Sequence, residues 1–103
     1  MIVVRRDIVA AYFRTHPRRD SDGAARRAYA GWLAVSERAT WLTPPDVKKG
    51  HPKASILKGG RVVFNIKGND FRLVVQINYR AGTVEIRFFG THSEYDDIDA
   101  ETV

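Results

Sequence analysis

Residues Arg61–Asp96 read RVVFNIKGNDFRLVVQINYRAGTVEIRFFGTHSEYD, and this stretch decides the fold. Apolar residues alternate through three runs. Turn-forming residues separate them: Lys67-Gly68-Asn69-Asp70 after the first run, Ala81-Gly82 after the second. Val62, Phe64 and Ile66 share one face of the first run; Phe71, Leu73, Val75, Ile77 and Tyr79 share it in the second; Val84, Ile86 and Phe88 in the third. The opposite face carries Asn65, Arg72, Gln76, Asn78, Glu85 and Arg87, with Val63, Val74 and Phe89 interspersed. The pattern predicts three antiparallel strands with one core face and one open, partly basic face.

Turn length sets the register. A four-residue turn at Lys67–Asp70 pairs Ile66 with Phe71 and puts Asn65 opposite Arg72. A two-residue turn at Ala81-Gly82 pairs Arg80 with Thr83, Gln76 with Arg87 and Arg72 with Thr91. A one-residue bulge would shift these pairs. Thr91-His92-Ser93-Glu94 has the form of a capping box and predicts a short helix or turn, with His92 and Tyr95 on one side of it.

Upstream, Met1–Val4 reads as a brief edge strand. A helix is predicted over Arg6–His16, with Ile8, Val9, Tyr12 and Phe13 on one side and Pro17 ending it. The polar link Arg18–Gly23 offers Asp20, Ser21 or Asp22 as a cap for a second helix over Ala24–Ala39. Ala25, Tyr29, Trp32, Leu33 and Ser36 form its buried stripe; Arg26, Arg27, Glu37 and Arg38 face water. Trp32 and Trp41 read as core or partner-facing residues. Thr43–Ser55 is expected to be a loop, and Ile56–Lys58 a short strand ending at Gly59-Gly60. The expected architecture is a single domain over residues 1–103. It is α+β, with two N-terminal helices on one face of a small, mainly antiparallel sheet.

The chain has 103 residues, 44% of them hydrophobic, which supports one modest core. It has no cysteine, so disulfides, thiolate metal sites and a cysteine nucleophile are excluded, and a reducing cytoplasm suits it. Arg5, Arg6 and Asp7 interrupt the apolar start too early for a signal peptide. No apolar run approaches the roughly 20 residues of a membrane span. Charge is unevenly placed. Residues 1–60 hold 12 Lys/Arg against 5 Asp/Glu, residues 61–90 hold 5 against 2, and residues 91–103 hold none against 5. A basic body favours an anionic partner, nucleic acid first, or serves solubility alone. The acidic tail reads as a solvated end or a partner contact.

Arg72 and Arg87 lie within strands. They read as clamps on phosphate oxygens, or as members of a solvated sheet face with local pairing. On that exposed face, removal of Arg72 is expected to change stability little. His92 is an acid–base candidate near neutral pH or a structural hydrogen-bonder. Tyr95 is a stacking or hydroxyl-donating group or an aromatic packed on the sheet. Lys67 in its turn, Asn65 beside Arg72, and the loop lysines Lys53 and Lys58 are candidate RNA contacts, as Lys48 and Lys49 are for steering; loop lysines are also commonly just solvated. Gly68 and Asn69 are explained by the turn. Neither Walker nor dinucleotide glycine spacing is present. His16, His51 and His92 lack metal-ligand spacing, and neither metal nor cofactor is expected.

Phe64-Asn65-Ile66-x-Gly68-Asn69-x-x-Arg72-Leu73-Val74, followed by Thr91-His92-x-Glu94-Tyr95-Asp96, resembles the HigB family of bacterial toxins, within the RelE-like group of type II toxin–antitoxin systems. Length and element order are similar across nearly the whole chain. The resemblance implies a small cytoplasmic ribonuclease that cleaves mRNA, usually on the ribosome, without metal or cofactor. An antitoxin, of helix-turn-helix type, would hold it inactive. Carried over by position, it points to Arg72, His92 and Tyr95; Arg87 and Lys67 are matched by sheet face only. Two other readings stand beside it. One is a non-catalytic RNA-binding or regulatory domain using the same basic face. The other is a partner-dependent inhibitor of a DNA enzyme, which would lack the His92 and Tyr95 constellation.

Overall fold

The computed structural model describes all residues from Met1 to Val103 and is an α+β fold. Strands β1 (Ile2–Val4), β2 (Ser55–Ile56), β3 (Arg61–Ile66), β4 (Phe71–Asn78) and β5 (Thr83–Thr91) form one open sheet in the order β1-β5-β4-β3-β2. Only the β1–β5 pair is parallel. Helices α1 (Asp7–Thr15) and α2 (Ala24–Arg38) pack on one face; the short helices α3 (Pro44–Gly50) and α4 (His92–Tyr95) complete the chain. Val9, Tyr12 and Phe13 of α1 and Ala25 and Trp32 of α2 meet Phe64, Leu73 and Ile86 in a single core that also takes in Trp41.

The helix ends follow local chemistry. Pro17 stops α1 and opens a 3-10 turn, Pro17–Asp20. The buried Asp20 carboxylate accepts from the Ala25 and Arg26 amides at 2.7 and 3.1 Å, and Asp22 accepts from Ala24 at 3.1 Å. Two of the three candidate acceptors in the link therefore cap α2, replacing hydrogen bonds its first turn lacks.

Thr43–Ser55 is not a loop throughout. Thr43 caps α3 in a reciprocal box with Asp46, and Pro44 occupies the first helical position. Proline is pre-set for that position because the amide it lacks would go unbonded anyway. Val47 then anchors the helix in the core.

The β3–β4 hairpin has the expected register: Ile66 faces Phe71 and Asn65 faces Arg72. The β4–β5 hairpin does not. Asn78 pairs with Thr83, so the turn spans Tyr79–Gly82. The Asn78 side chain accepts from the Ala81 amide at 2.9 Å, and the Gly82 amide closes on the Asn78 carbonyl at 2.9 Å. This local side-chain turn, with Gly82 at φ 74°, displaces the two-residue turn. Farther along, Val75 faces Ile86 while Val74 faces Phe88, which leaves Arg87 as an extra residue on β5. The longer turn makes Gln76 face Glu85 instead of Arg87; the bulge restores half of that shift, so Arg72 faces Gly90 instead of Thr91. It also exchanges the faces of the two phenylalanines. Phe89, only 4% exposed, enters the core and stacks on Phe71 at 5.4 Å, while Phe88 moves to the opposite face.

That opposite face is not open. Tyr95, Ile98, Ala100 and Val103 fold over Val63, Val74 and Phe88. Arg61, buried, donates to the main-chain oxygens of Ala100 and Val103 at 3.3 and 2.6 Å and to Gln76 Oε1 at 2.7 Å. Arg87 donates to the Val103 oxygen at 3.1 Å and to Glu85 at 3.0 Å. Asp96, Asp97, Asp99 and Glu101 of the acidic tail stay exposed, as expected, while the tail as a whole forms a roof. Its apolar residues cover the valines that the face would otherwise expose, and its main-chain oxygens satisfy the arginines beneath.

Candidate functional site

The residues singled out in the sequence do not form one exposed basic face. Arg72 is 9% exposed, and its guanidinium is turned to the backbone. Nη2 donates to Asn69 Oδ1 at 2.6 Å; Nη1 donates to the carbonyls of Asn69 and Phe71 at 3.0 and 3.1 Å. The arginine fork grips the Lys67–Asp70 turn from below. The expectation of an exposed Arg72 fails because the turn offers acceptors closer than solvent, and a buried guanidinium must use them.

The gripped turn has two consecutive left-handed residues, Lys67 at φ 55° and Gly68 at φ 62°. Glycine takes this conformation freely, whereas for a lysine it costs roughly 1 kcal/mol or more. The surroundings therefore over-determine the position of Lys67. Its ammonium lies 3.7 Å from Asp70. The Asp70 carbonyl accepts from the His92 amide at 3.0 Å, which ties the turn to the start of α4.

Helix α4 is held by the predicted capping box, Thr91 with Glu94. Glu94 reaches further. Its Oε1 accepts from the Tyr12 hydroxyl at 2.6 Å and from the Thr91 amide and hydroxyl at 2.9 and 3.0 Å; its Oε2 accepts from Arg19 at 2.6 Å. Partial burial alone would push this carboxyl up. The donors from Tyr12, Thr91 and Arg19 outweigh it and hold Glu94 at about 2. Burial and the Glu94 charge push the Tyr12 phenol up, so it stays a neutral donor. Gly90 leaves room beside this carboxylate: a Cβ there would lie 2.8 Å from the Phe88 ring and 3.2 Å from Glu94 Oε1, so both side chains would have to shift.

The 3-10 turn, the Lys67–Asp70 turn and the start of α4 thereby enclose an open depression. Arg19, Lys67 and His92 are its basic groups and Asp70 its carboxylate, with Asn69, Phe71, Thr91 and Ser93 between them. Only Nη1 of Arg19 is engaged internally, so the rest of its fork is available. His92 is exposed, and its Nδ1 lies 3.2 Å from Asp96 Oδ2. With that nitrogen donating to Asp96, Nε2 is left to act on a ligand. A second depression adjoins the first, lined by His51, Lys53, Asn65, Gly68 and Asn69. Asn69, set by Arg72, lines both.

Lys67 and His92 therefore come together, with Arg72 beneath them, and Asn65 and Lys53 sit next door. Tyr95, Arg87 and Lys58 stand apart. Tyr95 packs on the roofed face, Arg87 is tied to Glu85 and Val103, and Lys58 lies 3.3 Å from Glu101. His92 and Tyr95 thus lie in different environments, although three residues apart on one helix. Arg19 had no sequence signal, since Arg18 and Arg19 read alike in a polar link; Tyr12 read only as part of the apolar side of its helix. The Glu94 cap was legible, but its partners on the N-terminal helix and turn were not.

A family model described as HigB toxin, the RelE-like toxic component of a toxin–antitoxin system, matches residues 25–98. The chain belongs to the HigB toxin family. As a HigB toxin it has an antitoxin as partner. The matched span contains β3, β4, β5 and α4, hence Lys67, Arg72, His92 and Glu94; α1 and the Arg19 turn lie outside it. No curated protein matches the chain. No helix of this HigB toxin is long and apolar enough to cross a membrane.

Proposed function

We propose that this toxin is an endoribonuclease that cleaves mRNA, on the ribosome, in the cytoplasm, and that a helix-turn-helix antitoxin of HigA type restrains it. The observation that carries the reading is the depression in which Arg19, Lys67 and His92 surround one open space. Two cations beside an imidazole suit a phosphodiester, whose charge grows as it is attacked. The nucleophile is in the substrate. The ribose 2′-oxygen bonds to phosphorus, the bond from phosphorus to the 5′-oxygen breaks, and a cyclic phosphate and a 5′-hydroxyl result. Such an attack requires neither a metal-activated water nor a cofactor. His92 Nε2 takes the proton from the 2′-hydroxyl, and solvent returns one to the leaving 5′-oxygen. Lys67 and Arg19 neutralise the phosphate oxygens. Arg72 acts through Asn69 as a positioning residue for the turn. Tyr95 and Arg87 hold the roof, while Asn65 and Lys53 extend the RNA contact into the second depression and Lys58 contributes only to the surrounding positive field.

The test is end-group analysis of transcripts after brief expression without antitoxin. Growth arrest with new 5′-hydroxyl ends is the expected result. New 5′-phosphate ends would replace this chemistry with attack by water, and arrest without cleavage would leave a binding protein.

A further inference from the structure

A groove between α1 and α2 is separate from the depression and shares no lining residue with it. Phe13, Tyr29 and Leu33 form its apolar floor; Arg6, Arg14 and Arg26 rim it, and no acidic side chain lines it. Arg26 lies over the Phe13 ring at 4.9 Å and contacts Asp20, and Arg6 contacts Glu37 at 2.7 Å. Arg14 is exposed and makes no ion pair. The Tyr29 hydroxyl is shut off from water without a hydrogen-bond partner, and burial pushes its phenol up.

We infer that this groove is the docking site of the antitoxin, and that the segment it takes is acidic and amphipathic. Apolar side chains of such a segment cover Phe13 and Leu33, and its carboxylates meet the arginine rim. The charge is what selects this occupant. A second copy of the chain has its acids in a tail whose apolar residues already cover its own sheet, and elsewhere it would bring an arginine-rich body to an arginine rim, which opposes association. An RNA would leave the apolar floor uncovered. The inference rests on membership of the toxin family and not on the ribonuclease reading, since the contact is read by binding alone.

The experiment compares amide hydrogen exchange in the purified toxin–antitoxin complex and in the toxin alone. Exchange is expected to slow in α1 and α2. Slowing confined to the Lys67–Asp70 turn and α4, or to the β1 edge, overturns the inference. Arg14→Glu, with a melting curve that matches the parent, is expected to weaken antitoxin binding by about tenfold or more, and Arg14→Lys to restore most of it. Parent affinity in Arg14→Glu overturns the proposal. So does a dimer of the toxin alone, or a bound oligoribonucleotide, that slows exchange in the same two helices.

Discussion

The Tyr12 hydroxyl donates a 2.6 Å hydrogen bond to Glu94 Oε1, joining α1 to the cap of α4 across 82 residues of chain. Through this bond the N-terminal helix reaches the element that carries His92. Arg19 closes the network from the following turn, within 3.2 Å of the Tyr12 hydroxyl and 2.6 Å of Glu94. The capping carboxylate is therefore shared between a local task and a tertiary one.

Tyr12→Phe removes one donor from Glu94 without opening a cavity. At neutral pH it is expected to cost roughly 1–2 kcal/mol, the worth of a hydrogen bond to a charged group that is partly exposed. The sign with pH follows from Glu94 lying at about 2, below its ordinary value of 4.5. Its contribution is complete above that ordinary value and disappears as pH falls toward about 2. Urea unfolding of parent and variant at pH 7, 4 and 2.5 should show the gap closing across that window. A gap that stays constant would mean the bond does not hold the charged carboxylate.

Arg72→Ala is expected to lower stability by roughly 1–3 kcal/mol, because Asn69 Oδ1 and two carbonyls lose their donor. Arg72→Lys should not restore the grip, since one ammonium cannot reproduce a planar fork. Thermal unfolding decides it: an alanine variant that melts with the parent would return Arg72 to the exposed role its strand position suggested.

The Arg87 bulge makes neighbouring phenylalanines unequal. Phe89→Ala should cost about 3–5 kcal/mol as a full core truncation, and Phe88→Ala distinctly less, since Phe88 is only partly buried against the roof. Deleting Arg87 would remove the extra residue and leave Phe88 opposite Val74 and Phe89 opposite Leu73, so the variant should still unfold cooperatively. Equal losses at the two positions would contradict the register.

His92→Gln should keep the fold and antitoxin binding but slow single-turnover cleavage by roughly 10²-fold, the usual worth of a positioned proton acceptor. Arg19→Ala should weaken RNA binding and flatten its salt dependence, because one phosphate contact is gone. Cleavage at the parent rate in His92→Gln would move the proton transfer to another group.

The alternation of Val62 to Ile66 and of Phe71 to Ile77, the Lys67–Asp70 turn, the stop at Pro17 and the box at Thr91–Glu94 are all written in the sequence. Each depends on neighbours within a few residues, and short-range steric and hydrogen-bond preferences decide it. The two-helix-on-sheet layout follows from them, as does the Asn65–Arg72 pair. Thr43-Pro44-Pro45-Asp46 carried a legible helix start that a reading of prolines as loop residues concealed. Tertiary structure alone decided the rest. The bulge at Arg87 exists because Phe89, and not Phe88, fills the space beside Phe71, Tyr12 and Phe13. Arg61, Arg72 and Arg87 bind internal oxygens because the tail and the turn arrive above them, which no alternation pattern can show. Arg19 joins His92 because Glu94 links them, and a contact spanning 75 residues leaves no mark on the spacing of either.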